Sequence, residues 1–256
     1  MALLEVCCGN PDSVDAAVLG GARHIELCAD LELDGLTPPM AWLRTVKERY
    51  PALTVHVLIR PRGGDFVYTP EEADILALQL ESALTFGADG IVVGCLTADG
   101  DIDLPLMEQL AALVDSFNLA AELGSSDRCH AADDSHFFPG PARRASLTFH
   151  RAFDRCRRPF EALEQLIGLG CDRILTSGQA PTAEAGVDLL RELNRRAAGR
   201  IIIFPGGGVT PQNAARILAL TGCTEIHASA SETHDGKKVT DAKKVLALIS
   251  AINQGS

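Results

Sequence analysis

Basic side chains are in short supply. The sequence has 23 Lys and Arg against 34 Asp and Glu, a formal net charge of −11 at pH 7. A chain of this sign has no general attraction for phosphate backbones or anionic membrane surfaces, so neither nucleic acid nor membrane is an expected partner. Aromatic residues are scarce at 5%, with a single Trp, and the core must therefore be aliphatic. No apolar run approaches the roughly 18 residues that span a bilayer. The opening MALLEVCCGNPDS has no basic stretch and too short an apolar run for a secretory leader, which sets a cytoplasmic location as the expectation. Long disorder is excluded as well, because 46% hydrophobic and 22% charged residues is the balance of a packed domain.

Eight cysteines are present, but they are spread over 256 residues with enough apolar content for a full core. In a reducing cytosol such thiols stay free, so each must be read by position. Short β-branched runs alternate with helical-period segments throughout, the pattern of repeated βα units on a parallel sheet. Eight strand candidates follow: 2–7, 24–28, 55–60, 90–95, 146–152, 173–177, 201–206 and 225–229. Gly-(Ala/Cys)-x-x-Ile recurs at Gly21, Gly87, Gly170 and Gly222, each time where a helix gives way to a strand. A glycine there suits a helix C′ position with positive φ. Thr69-Pro70 with Glu72, Thr210-Pro211, and Asp241 are expected to open helices. Eight such units predict one α/β domain over 1–256, a TIM (β/α)8 barrel, with an open doubly wound sheet as the fallback.

Residues 118–145, between a fourth helix at about 103–117 and the fifth strand, exceed any ordinary connection and are expected to be an insertion. Lying on the face opposite a barrel's active site, it suits a stabilising or subunit-contact role better than a lid. Cys129, His130 and His136 within it are a lesser metal candidate that lacks a fourth ligand.

In a barrel the chemistry sits at the C-terminal ends of the strands. That rule places Cys171 and Cys223 at the bottom as small buried hydrophobes and leaves Cys7, Cys28 and Cys95 at strand ends, with Cys8 beside Cys7. The first two strands repeat Glu-x-Cys, as Glu5-Val6-Cys7 and Glu26-Leu27-Cys28. Side chains two apart share a face, and neighbouring strands lie roughly 4.8 Å apart, so two thiols and two carboxylates can meet at the mouth. A thiolate pair suits a soft ion such as Cu(I); core filler in two offset layers is the competing account. Arg60 and Arg62, before Gly63-Gly64 and Asp65, form a candidate anion clamp or else pair with Glu5 and Glu26. On the fifth strand Thr148, His150, Ala152 and Asp154 share one side if the strand runs that far, and His150 is a candidate base or ligand. His56 reads as a satisfied interior group, while His227 and Ser229 project together. Ser177, after the sixth strand, and Gly206, Gly207 and Gly208, after the seventh, can offer polar groups to an oxyanion.

The stretches EVC, IELC, GLTP, RPRGGDF with Tyr68, GADG, DGDID, TFHRAFD, ILTSG, PGGGV and EIHAS run in order along nearly the whole chain. Together they closely resemble the CutC family of copper homeostasis proteins. The resemblance implies a TIM barrel, a cytosolic setting, a homodimer or homotetramer, and Cu(I) binding at the cysteines that map to Cys7 and Cys28. Two departures stand out. The family usually reaches its fifth strand by a short connection, and Pro39 stands where a serine is usual. Leu189, Leu190 and Leu193 fit either barrel packing or a subunit interface.

A Cu(I) carrier needs only a few soft ligands, whereas this mouth also gathers arginines, carboxylates, a histidine and glycines. The alternative expectation is an enzyme acting by lyase or isomerase chemistry on a phosphorylated or carboxylated small metabolite. In it Glu5, Glu26, His150 or Asp154 supplies acid–base catalysis, and Arg60 and Arg62 with Ser177 and Gly206 to Gly208 hold the anion.

Overall fold

The computed structural model describes residues 2–124, 144–234 and 237–254. Cys129, His130 and His136 lie outside the described residues. Eight parallel strands form the ring: β1 (Leu3–Cys8), β2 (His24–Leu27), β3 (Thr54–Leu58), β4 (Gly90–Val93), β5 (Ser146–Phe149), β6 (Arg173–Thr176), β7 (Ile202–Pro205) and β8 (Glu225–Ala228). Their order is β7-β6-β5-β4-β3-β2-β1-β8, and β8 packs beside β7, which makes the architecture a nearly closed TIM barrel. Outside run α1 (Pro11–Leu19), α2 (Met40–Arg49), α3 (Pro70–Thr85), α4 (Leu104–Gly124), α5 (Pro159–Gly168), α6 (Val187–Ala197), α7 (Ala214–Thr221) and α8 (Ala242–Gln254).

Turn and cap chemistry sets many of these boundaries. Gly21, Gly87, Gly170 and Gly222 have φ of +93°, +90°, +75° and +70°, in the region where a side chain would be strained. Thr69 and Glu72 close a reciprocal capping box at the start of α3, and the Asp241 carboxylate accepts from Lys244 N–H at the start of α8. Thr210-Pro211 does not open α7. Its Thr210 N–H donates to Asn213 Oδ1, and the intervening turn delays the helix to Ala214.

The aliphatic core lies between the strands and the helices, where Val6, Ile25, Val57, Ile91, Phe149 and Ile174 are fully buried. Leu190 and Leu193 join this layer, so they belong to barrel packing and not to an interface. Helix α4 continues through 118–124, which the sequence had assigned to the insertion. Within that helix the Asn118 amide donates to Ala145 O at 3.0 Å and accepts from Ala145 N–H at 2.8 Å, tying α4 to the start of β5. An antiparallel hairpin, β9 (Ser231–His234) and β10 (Lys237–Thr240), follows β8 directly and was not anticipated.

Candidate functional site

Alternation along the strands turns a second set of residues inward, and here that set is charged. At the N-terminal half of the barrel, Glu5 has no exposure and accepts from Arg173 Nη1 at 2.7 Å, with His56 Nδ1 at 2.7 Å and His227 Nδ1 at 3.1 Å from its two oxygens. Arg173 extends the network to Glu225 at 2.7 Å and lies 3.9 Å above the Phe204 ring centre. Burial alone would raise the Glu5 carboxyl, but Arg173 and then His56 outweigh it and hold it well below the usual carboxylate range. Glu5 is therefore not at the mouth, and its arginine is Arg173, not Arg60 or Arg62. His56 is the satisfied interior group expected of it.

One layer higher the sulfurs meet. The β1–β2 register sets Cys7 beside Glu26, so Cys28 stands diagonally above, yet the two Sγ atoms are 3.5 Å apart. That is well beyond the roughly 2.05 Å of a disulfide. Cys7 Sγ is also 3.9 Å from Glu26 Oε1, and single donor atoms of Cys7, Glu26 and His227 all fall within 4.8 Å of one another. The hydrogen bond to Cys28, with burial, pushes the Cys7 thiol well up. Cys7 tends to lower Cys28, but burial and the nearby Glu26 push it up on balance. Burial opposes charge on His227, but Cys7, Glu5 and Glu26 outweigh it and push it up to about 10. The Glu26 carboxyl is raised by burial, and its Oε2 has no hydrogen-bond partner among the described residues.

A chamber of about 240 Å³ opens above these groups, bordered by Cys7, Glu26, Arg60, His150, Asp154 and His227. Arg60 is buried and pinned by carbonyls, Nη1 donating to Leu33 and Gly35 and Nη2 to Gly64. Arg62 does not join it as a clamp. Its guanidinium turns aside to Glu72 at 2.6 Å and Asp65 at 3.0 Å, because the loop after β3 leaves the strand and ends the two-residue alternation.

The same effect redraws the end of β5. The strand stops at Phe149, His150 caps a 3-10 turn over Arg151–Arg155, and alternation no longer decides what faces the mouth. Ala152 is packed in the core, whereas Asp154 and Arg151 pair at 2.8 Å. Asp154 also accepts from Thr176 Oγ1, from Ser177 N–H and Oγ, and from Gln179 N–H, so it is an anchor for the β6 loop with no lone pair to spare for a base's work. Ser177 Oγ is taken up by Asp154 and Ala180 O. Gly206 N–H donates to Thr176 O within the sheet. Gly207 and Gly208 remain on the mouth, bordering a second space of about 770 Å³ with Arg151, Thr210 and Ser229. His150 is buried, and burial, then the Arg60 charge, lower it to about 3.

Two residues that sequence reasoning gave no role, Arg151 and His227, thus stand at the centre of the mouth. For His227, its place two residues beyond Glu225 on β8 was a usable signal, whereas for Arg151 the 3-10 turn hid it.

The sequence model of the CutC family matches residues 2–132 and 140–232, which leaves 133–139 unmatched inside the stretch expected as an insertion. A CutC family protein of Bacteroides thetaiotaomicron is 45% identical over 229 residues, covering 90% of this chain and 81% of that protein. One of Vibrio vulnificus is 40% identical over 234 residues, covering 91% and 83%. The crystal structure of CutC from Streptococcus agalactiae superposes with a TM-score of 0.76 at 28% identity, covering 90% of this chain and 99% of that one.

Proposed function

The chain belongs to the CutC family of copper homeostasis proteins, and on that premise we propose that it binds Cu(I) at the barrel mouth through Cys7 and Cys28, with His227 as a third donor. The observation that carries this reading is the pair of free sulfurs 3.5 Å apart beside a histidine. Thiolates select Cu(I) over harder ions, and the imidazole of His227 is compatible with the same metal. Glu5 and His227 make the carboxylate–histidine arrangement that orients ligating imidazoles: with Nδ1 directed at Glu5, Nε2 is left for the ion. Glu5 is then a positioning residue. In the metal-free protein both thiols and the imidazole hold protons, so an arriving ion displaces them.

The same reading carries a cytoplasmic setting, where seven described cysteines would stay reduced, and a homodimer or homotetramer in solution that sedimentation can check. Among the described residues no helix is long and apolar enough to cross a membrane. The decisive experiment is an anaerobic Cu(I) titration against a chromophoric competitor. One tight site is expected in the wild type and none in Cys7→Ser/Cys28→Ser; full affinity in that double variant would sink the assignment.

A further inference from the structure

Copper ligation leaves much of the mouth unused. The inner and outer spaces share Cys7, Arg151 and His227 as walls, so they adjoin at these three residues. On the outer side Gly207 and Gly208 take φ of +99° and +69°. A Cβ at 207 would sit 3.3 Å from Arg151 Nη1, and one at 208 would sit 2.8 Å from Thr182 Cγ2. The positive φ at both positions and the close Thr182 methyl at 208 favour glycine there, and among the described residues neither glycine N–H has an acceptor. Arg151 is held by Asp154 through Nε and by Ser177 through Nη2, which leaves Nη1 lying against Gly207. Two open N–H groups beside a fixed guanidinium form an oxyanion cradle.

The inner side supplies a second, independent observation. His150 Nδ1 accepts from Ala152 N–H, so the neutral ring carries its proton on Nε2, and that donor has no partner. Arg60 Nε is likewise buried without a partner. Among the described residues Arg60 also has no carboxylate within ion-pair distance, although it is only 3% exposed. Orphan buried donors cost stability unless something accepts from them. Glu26 Oε2, unpartnered too, can accept from a hydroxyl.

We propose that the mouth binds a small phosphomonoester: its phosphate on the N–H groups of Gly207 and Gly208 and on Arg151, its oxygen-bearing body reaching Arg60, His150 and Glu26. An inner chamber of about 240 Å³ equals about eight waters at roughly 30 Å³ each, which admits a body of a few carbons and no more. The uncompensated Arg60 charge favours a carboxylate or carbonyl oxygen at the far end, and a hydroxyl partner suits Glu26. This site rests on different groups from the sulfur pair and goes beyond the copper reading.

The test uses metal-free, reduced, full-length protein, so that phosphate binding and copper binding are read separately. Inorganic phosphate, glycerol 3-phosphate, 3-phosphoglycerate and unphosphorylated glycerate are titrated by calorimetry and by the amide shifts of Gly207 and Gly208. Either organic phosphate is expected to bind at least about tenfold more tightly than inorganic phosphate, and glycerate more weakly than both. Preference between the two organic phosphates reports whether a carboxylate or a hydroxyl sits at Arg60. Arg151→Met should weaken every phosphate ligand by at least about tenfold while keeping the Cu(I) stoichiometry, and His150→Gln should weaken only the organic ones. Arg151→Lys repeats the first measurement if the methionine variant fails to fold, and the amide shifts need no variant. The proposal is overturned if neither amide shifts saturably by about 10 mM of any phosphate. It is equally overturned if the Arg151 variants bind as the wild type does, or if organic and inorganic phosphate bind alike.

Discussion

Replacing Arg173 by methionine strips the Glu5 carboxylate of its one permanent cation. The Arg173 Nη1 atom lies 2.7 Å from Glu5 Oε2, the carboxylate has no solvent exposure, and only His56 and His227 would remain to answer its charge. Breaking a buried pair from one side costs about 3–5 kcal/mol, because the charge left behind is uncompensated. At about 2–4 °C per kcal/mol for a chain of this size, the midpoint of thermal unfolding should fall by roughly 6–20 °C. Glu5→Gln alone should cost less, because Arg173 keeps Glu225 at 2.7 Å. The double variant should be less destabilised than the sum of the single ones, by about 1–3 kcal/mol of coupling. Urea unfolding followed by circular dichroism on the four proteins gives the cycle. If Arg173→Met loses under about 1 kcal/mol, or if the two changes simply add, then the network contributes little and the account of the barrel interior is wrong.

Three other outcomes follow from the geometry. Glu5→Gln should weaken Cu(I) binding by about 10–100-fold with stoichiometry unchanged, since it frees His227 to rotate; unchanged affinity in the competitor assay would remove His227 from the ligand set. Acid should destabilise the fold through His150: the unfolded chain takes up its proton near pH 6.5 but the folded one only near 3, so stability rises with pH between these limits. From pH 6.5 down to 4.5 the loss is about 2 kcal/mol, and a His150→Gln variant that kept the full pH slope in urea would contradict this. Gly186→Ala places a Cβ 1.9 Å from Ser177 O, a backbone atom that cannot step aside, and should lower stability by at least about 1–3 kcal/mol by the same unfolding assay.

The strand starts and the helix-ending glycines were legible because both are local: an apolar run states its period, and positive φ names its residue. All four recurrent glycines, Gly21, Gly87, Gly170 and Gly222, stand where the pattern required them. The Cys7–Cys28 approach was legible for a related reason, since strand alternation and the repeated Glu-x-Cys carry over directly into three dimensions. What failed depended on where alternation stops. Arg62 and Asp154 were assigned by the two-residue period, but β3 ends at Leu58 and β5 at Phe149, and beyond those points loop geometry decides. Glu5 was misplaced by depth rather than direction. It faces inward as expected, yet register with His227 and reach from Arg173 set it beneath the mouth, and neither relation is written in its own neighbourhood.

The charged layer formed by Glu5, His56, Arg173 and Glu225 stops the barrel like a cork, with the Arg173 guanidinium packed on the Phe204 ring and the sulfurs above. The molecule is therefore a cup and not a conduit. Whatever reaches Cys7 must leave by the rim it entered, past Arg151 and the Gly207-Gly208 lip. Any exchange at Cys7 would have to pass that rim, and an occupant of the lip would stand in its path.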